Sequence, residues 1–240
     1  MSARAERYLA EIGITVYKRR HAVDGTASVA DGRIVVTGAS PVVISPAPAA
    51  SEADPEIWER LAAEVRACTR CGLHKTRTQT VFGVGRRDAE LLVIGEAPGA
   101  DEDRQGEPFV GRAGQLLNAM LRAIGLPRKE VYIANILKCR PPGNRDPQPE
   151  EASTCTPYLS RQIALVRPRA ILAVGRIAAQ WLLQSDAPIG RLRGRAFRYG
   201  ESGTPLIVTY HPAYLLRSPL EKAKAWADLC MVKDLLQRRA

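Results

Sequence analysis

Residues 91–114 read LLVIGEAPGADEDRQGEPFVGRAG, an apolar run followed at once by a turn rich in glycine, proline and carboxylates. The run Leu91–Ile94 contains no polar side chain, which is typical of a strand buried on both faces. Glycine and proline force the chain that follows to turn sharply and let its backbone approach a ligand closely. Phe109 stands alone among glycines in this turn. The stretch therefore predicts a buried strand that ends at a binding site.

Three further apolar runs follow, and segments with helical patterns separate them. We expect strands at 91–95, 131–137, 170–175 and 205–209, and helices at 57–66, 114–124, 149–165, 177–183 and 220–237. Continuously apolar strands joined by helices predict right-handed crossovers and a parallel sheet covered on both faces. The sequence thus predicts an α/β fold, a three-layer α/β/α domain with a central four-stranded parallel sheet.

Chemically capable residues fall where these strands end. Glu96 follows the first strand, Asn135 lies late in the second, Gly175 closes the third, and His211 follows the fourth. In open parallel sheets, ligands bind in the crevice outside the carboxyl ends of the strands. We therefore expect these residues to converge on one site.

The chain divides into three regions by composition. Residues 1–37 form an N-terminal extension of unknown role, with weak signals for a helix at 3–11 and strands at 14–17 and 33–37. Residues 38–56 are rich in proline, alanine and serine, which predicts a semi-rigid linker. The folded domain is predicted to span residues 57–240.

Charge and composition restrict the class of partner. The net charge is +10, and residues 1–56 carry 6 Lys and Arg against 7 Asp and Glu, which leaves +11 on the remainder. A basic folded domain favours a polyanion, most commonly nucleic acid. No apolar run approaches the roughly 18 residues of a membrane span, and the N-terminus lacks a secretory signal. We expect a cytoplasmic monomer that does not enter membranes.

The cysteines suggest a metal site. Cys68 and Cys71 form a C-x2-C pair, and Cys139 and Cys155 come much later in the chain. In a reducing compartment, such cysteines point to metal or chemistry rather than to disulfides. Four thiolates that meet in space would suit zinc or an iron–sulfur cluster, and ligand identity alone does not separate the two. Cys230 lies in a helical pattern and is expected to be a core residue.

Four motifs together are similar to those of family 4 uracil-DNA glycosylases, the iron–sulfur-containing members of their superfamily. They are GEAPG at 95–99, PFVG at 108–111, NILKCRPPGNRDP at 135–147 and HPAYLLR at 211–217. The resemblance covers residues 57–240 and does not extend to residues 1–56. It implies a uracil-DNA glycosylase-like fold, hydrolysis of the N-glycosidic bond of uracil in double- or single-stranded DNA, and a [4Fe–4S] cluster on Cys68, Cys71, Cys139 and Cys155.

The resemblance also implies roles for the residues at the strand ends. Glu96 would position or activate the attacking water, and His211 would support negative charge that develops on uracil O2. Phe109 would stack on the flipped base, and Asn135 would read its polar edge. Glu102 would crowd the C5 position of the base and thereby exclude thymine.

The segment after His211 suggests how the DNA is held. Leu215 and Leu216 could wedge between base steps, and Arg217 could contact a phosphate. A non-catalytic DNA-binding module with a structural metal site is the alternative reading, because it too explains the charge and the cysteines. A nucleotide-phosphate hydrolase is disfavoured, since no G-x-x-x-x-G-K-[ST] loop is present. Residues 1–56 could also recruit a replication or repair protein.

Overall fold

The structure is a computed structural model that describes residues 55–238. The described helices are α1 (Pro55–Ala67), α2 (Ala100–Gln105), α3 (Arg112–Ala123), α4 (Pro149–Val166), α5 (Arg176–Leu183), α6 (Ile189–Leu192), α7 (Pro212–Arg217) and α8 (Lys222–Gln237). The described strands are β1 (Val84–Gly85), β2 (Leu91–Gly95), β3 (Tyr132–Asn135), β4 (Ala170–Val174), β5 (Ala196–Tyr199) and β6 (Thr204–Thr209). The helix predicted at 3–11, the strands predicted at 14–17 and 33–37, and residues 38–54 of the linker lie outside the described residues.

One sheet organises the described chain, with strand order β1-β3-β2-β4-β6-β5. Its four central strands are parallel, as predicted. The sheet has six strands rather than the four predicted, because β1 and β5 add one antiparallel strand at each edge. The sequence did not indicate these edge strands, since β1 has two residues and β5 alternates between exposed and half-buried side chains.

Helices cover both faces of the sheet, which confirms the three layers. Every residue of β2 is buried, and its side chains alternate between two hydrophobic clusters. Leu92 and Ile94 pack with α1, α4, α5 and α6, whereas Leu91 and Val93 pack with α3 and α8. Burial of one such aliphatic side chain contributes roughly 1.5–3 kcal/mol. None of the helices within residues 55–238 has both the length and the hydropathy to cross a bilayer.

Several element boundaries differ from the predictions. Helix α1 begins at Pro55, inside the predicted linker, because proline suits the first helical position and Glu56 favours the first turn. Strand β3 ends at Asn135 rather than at residue 137. The short helices α2 and α7 lie in segments where no helix was predicted, a few residues after β2 and β6 respectively. Both helices therefore begin at the edge of the sheet where the site was expected.

Close packing of α3 against the turn after β2 fixes the path of that turn. A Cβ atom added at Gly114 would lie 1.8 Å from the carbonyl oxygen of Phe109. No side chain can be accommodated at that distance, so the α3 backbone and the Phe109 backbone are in direct contact.

We expect Gly114→Ala to destabilise the protein by about 1–3 kcal/mol, because the new methyl group must displace the Phe109 backbone. Alanine forms helices better than glycine does, so a loss of stability, rather than a gain, would indicate the contact with the Phe109 backbone. Gly190→Ala is the matched control, since Gly190 lies in α6 and a Cβ atom added there would have no neighbour within 4 Å. Chemical denaturation measures both, and equal stability of the two variants would contradict the predicted contact.

Candidate active site

A cavity of about 530 Å³ opens at the carboxyl ends of β2, β3 and β6. Six of the side chains that the sequence analysis selected line it, namely Glu96, Glu102, Phe109, Asn135, His211 and Arg217. Leu216 does not line the cavity. The parallel strands thus bring together residues that are far apart in the chain.

Gly95 lets two of these side chains meet. A Cβ atom at Gly95 would lie 2.4 Å from Asn135 Oδ1 and 2.7 Å from Phe109 Cζ. The Phe109 ring also faces that of His211, with centroids 5.7 Å apart and planes tilted by 32°. Ring, amide and imidazole therefore form one wall of the cavity.

Phe109 is held in a conformation that non-glycine residues rarely adopt, with φ of 54°. Such strain costs about 1–3 kcal/mol and persists only where the surroundings enforce it. Arg128 supplies one restraint, because its guanidinium donates to the carbonyl oxygens of Pro108 (2.7 Å) and Phe109 (3.2 Å). Arg128 lies 19 residues beyond Phe109, and no local pattern in the sequence links it to this turn.

Glu102 supplies the second restraint. Its Oε1 accepts from the backbone N–H groups of Val110 (3.0 Å) and Gly111 (3.3 Å), and its Oε2 accepts from that of Gly99 (3.1 Å). Both oxygens of this cavity-lining carboxylate therefore hold the turn around Phe109. This structural role adds to the predicted role against thymine, which stays a prediction.

Asn135 ends β3 and is 2% exposed. Its Oδ1 is buried and has no hydrogen-bond partner among the described residues. A buried acceptor without a partner costs about 1–3 kcal/mol, a cost that a donor from a bound ligand would remove.

His211 is set up as a neutral hydrogen-bond donor. Burial lowers its pKa to about 4, with Arg217 acting in the same direction and Glu102 against it. Its Nδ1 accepts from the backbone N–H of Ala213 at 3.2 Å, as the N-cap of α7. In a neutral imidazole the other nitrogen then carries the proton, so Nε2–H is the donor.

Glu96 titrates near neutral pH. Burial and, to a smaller extent, the charge of Asp146 raise its pKa to about 7, and the charge of Arg176 opposes the shift. Asp146 also lines the cavity and pairs with Arg176 at 2.7 Å. Neither residue of this pair was predicted as a site residue, although Arg176 follows Gly175 at the end of a predicted strand.

The predicted wedge after His211 needs one correction. Leu215 is 1% exposed, so it is part of the core and cannot enter DNA. Leu216 is 38% exposed and Arg217 lines the cavity, so both can be reached by DNA, as the predicted contacts require. Leu220, which the sequence analysis did not select, is 92% exposed just beyond α7.

The four selected cysteines line a second, much smaller cavity. Arg77 donates to Cys139 Sγ at 3.0 Å, and the backbone N–H of Lys138 donates to Cys155 Sγ at 3.3 Å. Burial raises the pKa of Cys155 to about 11, so this group is a thiol at neutral pH unless a metal displaces the proton. Within residues 55–238, no three His, Cys, Asp or Glu side chains are arranged to hold a single metal ion.

Comparison with known proteins places this cavity in a family. The model of the uracil DNA glycosylase superfamily matches residues 82–230, which include every residue named above that lines the 530 Å³ cavity. The chain therefore belongs to the uracil-DNA glycosylase superfamily. Within it, the chain is similar to proteins named type-4 uracil-DNA glycosylase.

Three relatives illustrate this similarity. The type-4 uracil-DNA glycosylase of Archaeoglobus fulgidus is 44% identical over 77% of this chain and 96% of its own length. That of Thermotoga maritima is 43% identical over 68% of this chain and 85% of its own length. The type-5 uracil-DNA glycosylase of Pyrobaculum aerophilum is 34% identical over 65% of this chain and 73% of its own length.

The raised pKa of Glu96 predicts how stability depends on pH. The pKa of Glu96 is about 7 in the folded protein, above the ordinary value of 4.5. Folding therefore favours the protonated carboxyl, so its contribution to the free energy of unfolding is complete below pH 4.5 and is lost as the pH rises through 7. The glutamine of Glu96→Gln stays neutral. As the pH rises across this window, the melting temperature of the variant should therefore increase relative to that of the wild type. The exposed Glu201→Gln is the control, and a difference that does not change with pH would contradict the assignment.

Proposed function

We propose that this protein hydrolyses the N-glycosidic bond of uracil in DNA, releasing free uracil and leaving an abasic site. The observation that carries the proposal is the buried, unpartnered Asn135 Oδ1 beside Phe109 and a neutral His211 in one cavity. Membership of the uracil-DNA glycosylase superfamily supports it. A base inside a duplex cannot be reached, so it must be flipped into such a cavity.

Uracil suits the groups that line the cavity. Its N3–H can donate to Asn135 Oδ1, and its O4 can accept from the amide nitrogen of the same side chain. Cytosine presents the opposite pattern at these atoms and would leave polar groups unpaired, at a cost of roughly 1–3 kcal/mol. Stacking on the Phe109 ring adds about 1–3 kcal/mol without regard to the base. Glu102 would face the C5 position and exclude the methyl group of thymine.

The proposed chemistry uses His211 and Glu96 as the catalytic residues. Bond cleavage places negative charge on the departing uracil and positive charge on the sugar. His211 Nε2–H, aimed at O2, would stabilise the first charge where it develops. Glu96 in its ionised form would orient the attacking water and stabilise the cationic sugar. Its raised pKa implies that this form dominates only above about pH 7.

The proposed contacts with the DNA beyond the flipped base come from α7. Leu216 would enter the gap that the flipped base leaves, and Arg217 would contact a phosphate. The net charge of +11 on residues 57–240 favours the same polyanion. Nothing in the fold or the comparisons favours the alternative of a non-catalytic DNA-binding module, which would have no use for the residues at the strand ends.

We also propose that Cys68, Cys71, Cys139 and Cys155 hold a [4Fe–4S] cluster. The fit rests on four thiols around one small cavity, with the cations of Arg77 and Lys138 beside them. The resemblance to family 4 uracil-DNA glycosylases, rather than the thiols themselves, favours a cluster over zinc. When bound, the cluster would link the end of α1 to the segment after β3 and to α4.

Three further expectations from the sequence remain proposals. They are that the protein is a monomer, that it acts in the cytoplasm, and that residues 1–56 contact a replication or repair protein.

We expect His211→Ala and Glu96→Ala each to slow uracil release by about 100-fold or more, because each removes a group that acts on the transition state. The assay is incubation with a uracil-containing oligonucleotide followed by alkaline cleavage of abasic sites. Affinity for DNA should change little, and the exposed Glu201→Ala should retain full activity. Turnover close to wild type in either variant would remove that residue from the mechanism.

The purified protein should be brown and contain about four iron atoms per chain. Cys155→Ser should lose colour and iron, because it removes a proposed ligand. Cys230→Ser is the matched control and should keep both, since Cys230 lies in α8, outside the cysteine cavity. A colourless, zinc-loaded protein with full activity would refute the cluster.

A further inference from the structure

Lys138 lies between the two sites and contacts both. Its side chain is 1% exposed, and its ammonium donates to the backbone carbonyl of Asn135 at 2.8 Å. Its backbone N–H donates to Cys155 Sγ, and the next residue along the chain is Cys139. One residue thus joins the strand end that carries the base-reading amide to two of the cysteines.

Burial of this ammonium is unfavourable, which calls for an explanation. The hydrogen-bond partners of Lys138 Nζ are a carbonyl oxygen and the amide oxygen of Gln162 (2.6 Å), not a carboxylate. Burying an ammonium whose hydrogen-bond partners are both neutral is costly, and the thiolates proposed at Cys139 and Cys155 are anions that lie close enough to offset part of that cost. The residue therefore does something that packing alone does not require.

The surroundings hold Lys138 rigidly. Gln162 is fully buried, and its amide nitrogen donates to Phe82 O (2.9 Å) and Tyr132 Oη (3.1 Å). The backbone carbonyl of Lys138 accepts from Val81 N–H at 2.8 Å. Hydrogen bonds therefore fix both ends of Lys138 relative to Asn135 and to the cysteine segment.

The same segment also contacts the proposed catalytic carboxylate. The N–H of Ile136 donates to Gly95 O at 3.0 Å, and the N–H of Leu137 donates to Glu96 O at 3.1 Å. The backbone of residues 135–139 therefore connects Cys139 to Asn135, and hydrogen bonds attach the same segment to Gly95 and to the cavity-lining Glu96.

We propose that Lys138 is a positioning residue that couples the four-cysteine site to the recognition of uracil by Asn135. The inference rests on the proposed function, because it assigns Asn135 to the base. Coupling of this kind is reciprocal: a change at the cysteine site alters the preference for uracil, and bound uracil alters the properties of the cysteine site.

The test compares Lys138→Met with Tyr132→Phe in the metal-loaded full chain. Lys138→Met removes the ammonium but keeps the length of the side chain, whereas Tyr132→Phe disturbs the same buried network at its far end. The measurement is the ratio of affinities for a duplex containing 2′-fluoro-2′-deoxyuridine, which resists cleavage, and for the same duplex containing thymidine. Circular dichroism and iron content report on folding and on the cofactor.

We expect Lys138→Met to reduce the uracil-to-thymine affinity ratio by about 10–100-fold, a loss of the size seen when a group that orients a metal ligand is removed. Affinity for the thymidine duplex should stay at the wild-type level, and Tyr132→Phe should keep the wild-type ratio. A folded Lys138→Met protein with the wild-type ratio, or equal losses in the two variants, would overturn the inference.

Failure of the proposed function has a different signature, namely a wild-type protein that does not prefer the uracil duplex at all. If Lys138→Met does not fold, the wild-type protein decides the matter. Its cluster should show different midpoint potentials with the uracil and thymidine duplexes at saturation, and identical potentials would overturn the coupling.

Discussion

The missing side chain at Gly95 is the constraint on which the cavity depends. It ends the central strand β2, and parallel pairing sets Asn135 of β3 directly beside it. Any Cβ atom there would enter the space of the Asn135 amide and the Phe109 ring. The sheet thus brings the Asn135 amide and the Phe109 ring to the same point only because its middle strand ends in glycine.

The pKa values of two titratable groups in this cavity are shifted in opposite directions by the same cause. Burial penalises charge, so it lowers the pKa of His211 to about 4 and raises that of Glu96 to about 7. At neutral pH the cavity therefore offers an uncharged donor together with a carboxylate that can ionise. Divergent pKa values of this kind separate the roles of two groups in one site.

The sequence was sufficient for the features that local patterns encode. The bounds of β2 follow from an uninterrupted apolar run, and Glu96 and His211 were found because each follows such a run. Features that depend on tertiary contacts were not accessible. Arg128 restrains Phe109 across 19 residues, and the burial of Leu215 is decided by the elements that pack on α7 rather than by its neighbours in the chain.

The two antiparallel strands at the sheet margins have a consequence for behaviour in concentrated solution. Unpaired strand edges are templates on which other chains can assemble into aggregates. Here the long parallel strands are flanked by β1, only two residues long and ending in Gly85, and by β5, where the Arg198 guanidinium donates to Gly203 O. Short or charged borders of this kind discourage intermolecular sheet extension, so an enzyme with an apolar, fully buried sheet interior can remain dispersed.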